Sequence, residues 1–354
     1  MKNNRTLNAG LILTIAATAF LASCRRDEPD DITDPAAPAY TSGQGFFILN
    51  EGGFNAGNAS MSYYYTSGSL AGTVVNDIYQ SVNNAPLGDV ANSISGINGR
   101  MYVVVNNSNR ISVINPANMV VTATISGLSS PRYIHQISVT KAYVTEMGMN
   151  RISVINLNNN TVSGTIAMPY STEAITMTNG KVYVGSQNSD KVYVIDPNTD
   201  ALIDSVTTAY GTNSMQVDAN GKLWALSYGS WSASAAGGLH KINTSNDSVE
   251  TAMAFTTSDF ATHLCKNTAG DSLYFLNFNV YKMSVNDAAL PSSSFISGAG
   301  HAFYTIGLLP NSSNFFVGDA VDYVQRGVLY RYNGAGTQTD ADTVGVIPNN
   351  FLAY

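Results

Sequence analysis

The hexapeptide R-I-S-V-I-N fills residues 110–115 and returns letter for letter at residues 151–156. A drifted third copy, K-V-Y-V-I-D, fills residues 191–196. Counted from 110 to 151 and from 151 to 191, the intervals are 41 and 40 residues. The β-branched and aromatic residues of each copy mark a strand. A fixed period of about 40 residues built from such strands is the signature of a propeller or a solenoid array.

Four strand patterns, a to d, recur in each period, separated by Asn, Gly, Pro and Asp at the turns. The fourth unit is the clearest. It reads E-A-I-T-M from Glu173, a turn at Asn179 and Gly180, K-V-Y-V-G-S from Lys181, K-V-Y-V-I-D from Lys191 and A-L-I-D-S-V-T from Ala201. Alignment on strand b places its copies at residues 46–50, 101–106, 142–146, 182–186, 223–227, 273–277 and 315–318, seven units in all. The chain enters at a b strand and ends on N-N-F-L-A-Y, residues 349–354, which reads as an unclaimed a strand. The expected fold is therefore an all-β, seven-bladed β-propeller in which N- and C-terminal strands complete one blade jointly. Such closure removes exposed sheet edges, whereas an open solenoid would have shorter, more uniform rungs and need caps.

Composition fits a secreted, neutral-polar surface: net charge is -7, only 12% of residues are charged, and there are 20 tyrosines. No basic face is available for nucleic acid. The N-terminus reads as an address. Lys2 and Arg5 precede an apolar run at residues 9–21, which is too short to span a bilayer, and L-A-S-C follows at residues 21–24. The expected organisation is a lipoprotein signal peptide at 1–23, an acylated Cys24 with a disordered tether at 24–39, and the propeller at 40–354. The tether's Asp27, Glu28, Asp30 and Asp31 either form a surface-export signal or are a solvated linker. With Cys24 acylated, Cys265 has no disulfide partner and is expected to be a small core residue.

In a propeller the d-to-a connections and the b-to-c loops share one face, around the mouth of the central channel. On this face the sequence brings together Arg132, Tyr133, Tyr170, Tyr210, Asp259, Phe260 and His301 from the d-to-a connections. A ring of mostly polar residues at the starts of the a strands is expected at Asn92, His135, Glu173, Asn213, Thr262, Tyr304 and Asn350. This ring either touches a ligand or lines a wet channel. The b-to-c loops add Glu51, Phe54, Gln187, Asn188, Tyr228, Trp231, Phe278 and the stretch 319–323. Trp231 lies on the longest insertion, Y-G-S-W-S-A-S-A-A-G-G from Tyr228, either as a ligand platform or as a plug over its own blade. Aromatics beside amides suit a flat or amphipathic ligand.

Motifs of catalysis are lacking. The four histidines, at 135, 240, 263 and 301, fall in no H-E-x-x-H or Cys/His metal spacing, although His135, His263 and His301 lie near starts of a strands. A carboxylate pair for hydrolysis would have to come from Glu51, Asp89, Glu146, Glu173 and Asp259. Neither a cofactor nor a resident metal is expected, and D-A-V-D at 319–322 is too short for an EF-hand loop.

Y-V-V-V-N-N-S-N-R-I-S-V-I-N from Tyr102 and Y-V-G-S-Q-N-S-D-K-V-Y-V-I-D-P-N-T from Tyr183 resemble the YVTN repeat of YncE-like propellers. G-F-F-I-L-N-E-G-G-F-N from Gly45 and P-L-G-D-V-A-N-S-I from Pro86, on a lipobox chain, are similar to the surface-lipoprotein branch that includes the cobalamin-binding protein BtuG. The resemblance implies a non-catalytic lipoprotein anchored in the outer membrane and facing the exterior. It implies a small-molecule ligand, most concretely a corrinoid such as vitamin B12, passed to a TonB-dependent outer-membrane transporter. A glycan, another nutrient or a protein partner is the alternative, and a propeller hydrolase or lyase is the second. The residues expected to touch ligand are Asn92, Arg132, Tyr133, His135, Tyr170, Glu173, Tyr210, Asn213, Trp231, Asp259, Phe260 and His301.

Overall fold

The computed structural model describes residues 40, 44–309 and 312–354. The expected signal peptide, Cys24 and the expected tether lie outside the described residues. Residues Ala39–Tyr354 form one compact unit. Seven small antiparallel sheets compose it, and six of them have four strands.

The alternation seen in the sequence is explained by what each strand faces. In strand b of blade 2, Arg100–Val105, Met101, Val103 and Val105 pack into the cluster shared with blade 1, while Tyr102 and Val104 pack into the cluster shared with blade 3. Both faces are thus buried. Seven such clusters fill the seven blade-to-blade seams. Strand d is the outer strand of the four-stranded blades and is largely exposed, as at Ala201–Thr207.

Closure occurs as the termini suggest. Pro348–Ala353 pairs antiparallel with Gly45–Asn50, making the innermost strand of the blade that the N-terminal strands otherwise build. Phe46, Phe316 and Phe351 cluster across the seam so formed. Blade 6 departs from expectation. It has three strands, and Ile296 makes only a single bridge to Val280 where a fourth strand would stand. The segment after Ser284 reads N-D-A-A-L-P-S-S-S from Asn286, which lacks the β-branched alternation a strand requires.

The tyrosine two residues after the basic residue that opens strand b, Arg100, Lys141 or Lys181, has a second role. Tyr102 donates to Asn160 Oδ1 at 2.9 Å and Tyr183 to Asp247 Oδ1 at 2.6 Å, while Tyr143 reaches Asp200. Each tyrosine sits on strand b of one blade, and its acceptor lies in the c-to-d turn of the next. Asn160, Asp200 and Asp247 all have positive φ, between 55° and 57°, a turn conformation that Asn and Asp tolerate best among residues with a side chain. Lys141 and Lys181 add ion pairs to the same two aspartates. Trp224 fills the tyrosine position in blade 5, and its indole N–H instead donates within its own blade to Asp218.

Candidate ligand-binding site

The top of strand a is irregular in nearly every blade. Pairing slips by an extra residue or two at Ala91/Ser93, Pro131/Ile134, Thr212/Ser214, Thr262/Cys265 and Phe303/Thr305, and Asn349 is skipped opposite Leu49 and Asn50. A β-bulge re-aims the side chain of the unpaired residue. Asn92, Arg132, Tyr133, Asn213, His263, Tyr304 and Asn349 occupy these bulges, and all line one cavity of about 320 Å3 at the loop-face mouth of the channel. Glu173 joins them from blade 4.

The bulges also correct the expected ring. Asn92, Glu173, Asn213, Thr262 and Tyr304 line the mouth as expected. In blade 3 the bulge presents Arg132 and Tyr133, whereas His135 lies farther along the strand opposite Tyr143 and is not among the lining residues. In the joint blade Asn349 faces the mouth, and Asn350 lines a lower chamber of about 470 Å3 instead. Tyr133, Asn213, Ser214, His263 and Asn349 are common to both spaces, so the two meet end to end along the channel.

Polar groups on the floor are tightly organised. Arg132 grips Glu173 by Nε at 2.9 and 2.8 Å and by Nη2 at 2.8 Å, bridging blades 3 and 4. Burial opposes the guanidinium charge, and the Glu173 carboxylate more than restores it. Glu51, at the end of strand b in the joint blade, accepts the Tyr304 hydroxyl at 2.9 Å and the Asn349 amide at 2.8 Å, both on Oε2. Burial raises the Glu51 pKa, against the lowering influence of Tyr304 and Arg132. Burial also pushes the Tyr133 phenol up to about 12 and the His263 imidazole down to about 4. His263 takes a left-handed backbone, φ 54°, and its Nδ1 is buried without a partner among the described residues.

Aromatic side chains crown this floor. Tyr228 packs against Phe260 at 5.0 Å between centroids, and Trp231 meets Phe260 edge-on at 6.4 Å. Trp231 is 75% exposed, so it does not plug its blade. The insertion that carries it is pinned to the neighbouring connection, Gly229 N–H donating to the Tyr210 carbonyl at 2.9 Å. Phe278 and Tyr323 complete the rim. Tyr323 stands perpendicular to Tyr304, with ring centroids 5.9 Å apart.

The remaining expected residues are not among those lining the mouth. Tyr170 is exposed and Tyr210 half-buried. Asp259 is occupied within its own turn, accepting from Asn277 and Thr256 at 2.7 Å. His301 stacks on Phe303 and contacts Asp319 at 2.8 Å, beside a separate hollow. His135, His263 and His301 do not converge, and among the described residues no group of three His, Cys, Asp or Glu side chains is placed to hold a metal. Desolvation pushes the Cys265 thiol far up, which favours its protonated form, and the residue lines the lower chamber. Among the described residues no helix is long and apolar enough to cross a membrane.

No curated protein matches the chain. Solved structures match at the level of fold. A quinoprotein alcohol dehydrogenase-like protein from Bacteroides thetaiotaomicron shares 16% identity over 88% of this chain and 78% of its own, with a TM-score of 0.66. A functionally unknown protein from Desulfotomaculum acetoxidans shares 12% identity over 87% and 97%, with a TM-score of 0.62. A streptogramin B lyase shares 12% over 83% and 86%, with a TM-score of 0.57. These likenesses establish the propeller and leave the chemistry to the site. Residues 44–319 match one family over most of the propeller, and the chain belongs to it: the domain of unknown function DUF5074.

Proposed function

We propose that this propeller is a surface lipoprotein that binds a small ligand on its loop face and does not transform it. The observation that carries this reading is the rim of Tyr228, Trp231, Phe260, Phe278 and Tyr323 above a floor of fixed polar groups. Exposed aromatics supply contact area at little entropic cost, while the floor orients what enters. The carboxylates are engaged in structure: Glu173 in the Arg132 fork, and Glu51 through Oε2. The resemblance to the BtuG branch makes a corrinoid the concrete candidate. A corrin is too broad for a mouth of about 320 Å3, so it would lie across the rim with one edge turned inward. In this reading Cys24 carries the lipid, the tether at 24–39 holds the propeller near a TonB-dependent transporter, and proximity raises the effective concentration of captured ligand.

Calorimetric titration of the purified full chain with cyanocobalamin tests the ligand. One-to-one binding that weakens in Trp231→Ala and Phe260→Ala supports it; absence of binding at about 50 μM, a free energy of roughly 6 kcal/mol, removes the corrinoid. The hydrolase or lyase reading draws on the raised pKa of Glu51, a property shared by catalytic acids. Turnover of a substrate that disappears in Glu51→Gln would favour it.

A further inference from the structure

We propose that the loop-face mouth binds an organic ammonium group, held by the Glu51 carboxylate inside a cage of aromatic side chains. This rests on the reading of that face as a binding surface and specifies the chemistry of the group that enters it.

The charge balance of the floor comes first. Glu173 neutralises Arg132 through three hydrogen bonds, which leaves Glu51 as the uncompensated charge of the trio. Glu51 forms no ion pair among the described residues, and both of its donors, Tyr304 and Asn349, converge on Oε2. Oε1 accepts no hydrogen bond among the described residues. His263, on the same wall, is held neutral by burial and adds no positive charge. A half-buried carboxylate in a largely desolvated site gains from a counter-charge in contact; Arg132 acts on Glu51 only through space, and the described residues provide no ion pair to it.

The walls then fit a cation. Tyr133, Tyr228, Phe260, Phe278, Tyr304 and Tyr323 line the same space of about 320 Å3. Aromatic faces attract a cation through the ring quadrupole, most strongly where water is excluded. A primary ammonium would donate to Oε1 and lie against these rings, with any apolar remainder extending to the rim. A corrin edge bearing neutral amides would leave the Glu51 charge uncompensated, so cavity and rim select different chemistries that separate titrations distinguish.

The test compares 2-phenylethylamine with its neutral isostere 2-phenylethanol by calorimetry on the full chain. The amine is expected to bind at least about tenfold more tightly, as a charge-assisted hydrogen bond and cation–π contact together imply. In Glu51→Gln the amide oxygen can keep the Tyr304 and Asn349 bonds while the free acceptor becomes a donor. That variant is expected to fold normally and to lose the preference. Equal binding of amine and alcohol, an amine affinity unchanged in Glu51→Gln, or no amine binding at about 10 mM overturns the proposal. Failure of cyanocobalamin with retention of the amine sinks only the corrinoid reading, and the converse result sinks only this one.

Discussion

Arg132 and Glu173 form a forked ion pair across the seam between blades 3 and 4, with the Glu173 side chain 2% exposed. Breaking a buried pair from one side strands the other charge, which costs about 3–5 kcal/mol, whereas removing both partners costs much less. Arg132→Met alone should therefore destabilise the propeller by about that amount, and Arg132→Met with Glu173→Leu by clearly less. Denaturant unfolding of the singles and the double measures it. Equal losses in single and double variants would show that the pair acts by packing alone.

The seam latches make a second prediction. Tyr183 donates to Asp247 at 2.6 Å, and Lys181 reinforces that aspartate at 2.6 Å. A hydrogen bond to a charged group contributes about 1.5–3 kcal/mol, so Tyr183→Phe should lower the unfolding free energy by that amount. Tyr274→Phe in blade 6, where the ring packs on Phe295 and Phe315, should cost less. If the two changes proved equally costly, the tyrosine would be acting through its ring rather than its hydroxyl.

These latches also show how far the sequence is legible. Repetition of R-I-S-V-I-N and K-V-Y-V-I-D exposes the period, the seven units and the closing strand, because each blade meets nearly the same two neighbours and so needs the same alternation. Strand b can be read to within one or two residues. The ring is legible in five blades, at Asn92, Glu173, Asn213, Thr262 and Tyr304. Around Arg132 and Tyr133 two are extra, and at Asn349 the bulge falls in the last strand; no local residue type announces either. The extra residues displace the register, so the repeat pattern points to His135 and Asn350 where Tyr133 and Asn349 in fact line the mouth. Glu51 is visible as a loop residue, but its distance from Tyr304 in the sequence hides their contact.

His263 predicts a pH dependence of stability. Its folded pKa is pushed down to about 4 from 6.5, so between those values the unfolded chain takes up a proton that the folded one refuses. Stability should rise with pH from 4 to 6.5 and the His263 contribution should then level off. His263→Asn would remove that slope. Thermal unfolding midpoints of both proteins from pH 4 to 8 test it; parallel curves would mean that another group sets the acid limb.

Glu51 works in the opposite sense. Its folded pKa is raised above the unfolded value near 4.5, so the folded state holds its proton more tightly and stability from this group falls as pH rises through the window above 4.5. Glu51→Gln should consequently be more stable than the parent at neutral pH and lose that advantage near pH 4. Measured unfolding midpoints that separate as pH rises would confirm the sign, while a constant offset would mean that the contacts of the substituted amide, not the lost charge, are responsible.

Trp231 and Trp224, the protein's two tryptophans, report on different places. Trp224 is fully buried, and Trp231 is 75% exposed on the rim beside Phe260. A ligand settling on the loop face should shift or quench Trp231 emission and leave Trp224 unchanged. Because Trp231 buries so little, Trp231→Phe should alter stability by no more than about 0.5 kcal/mol while abolishing the optical signal. A signal that survives in Trp231→Phe would mean that the ligand acts elsewhere on the propeller, near the seam between blades 5 and 6 where Trp224 packs.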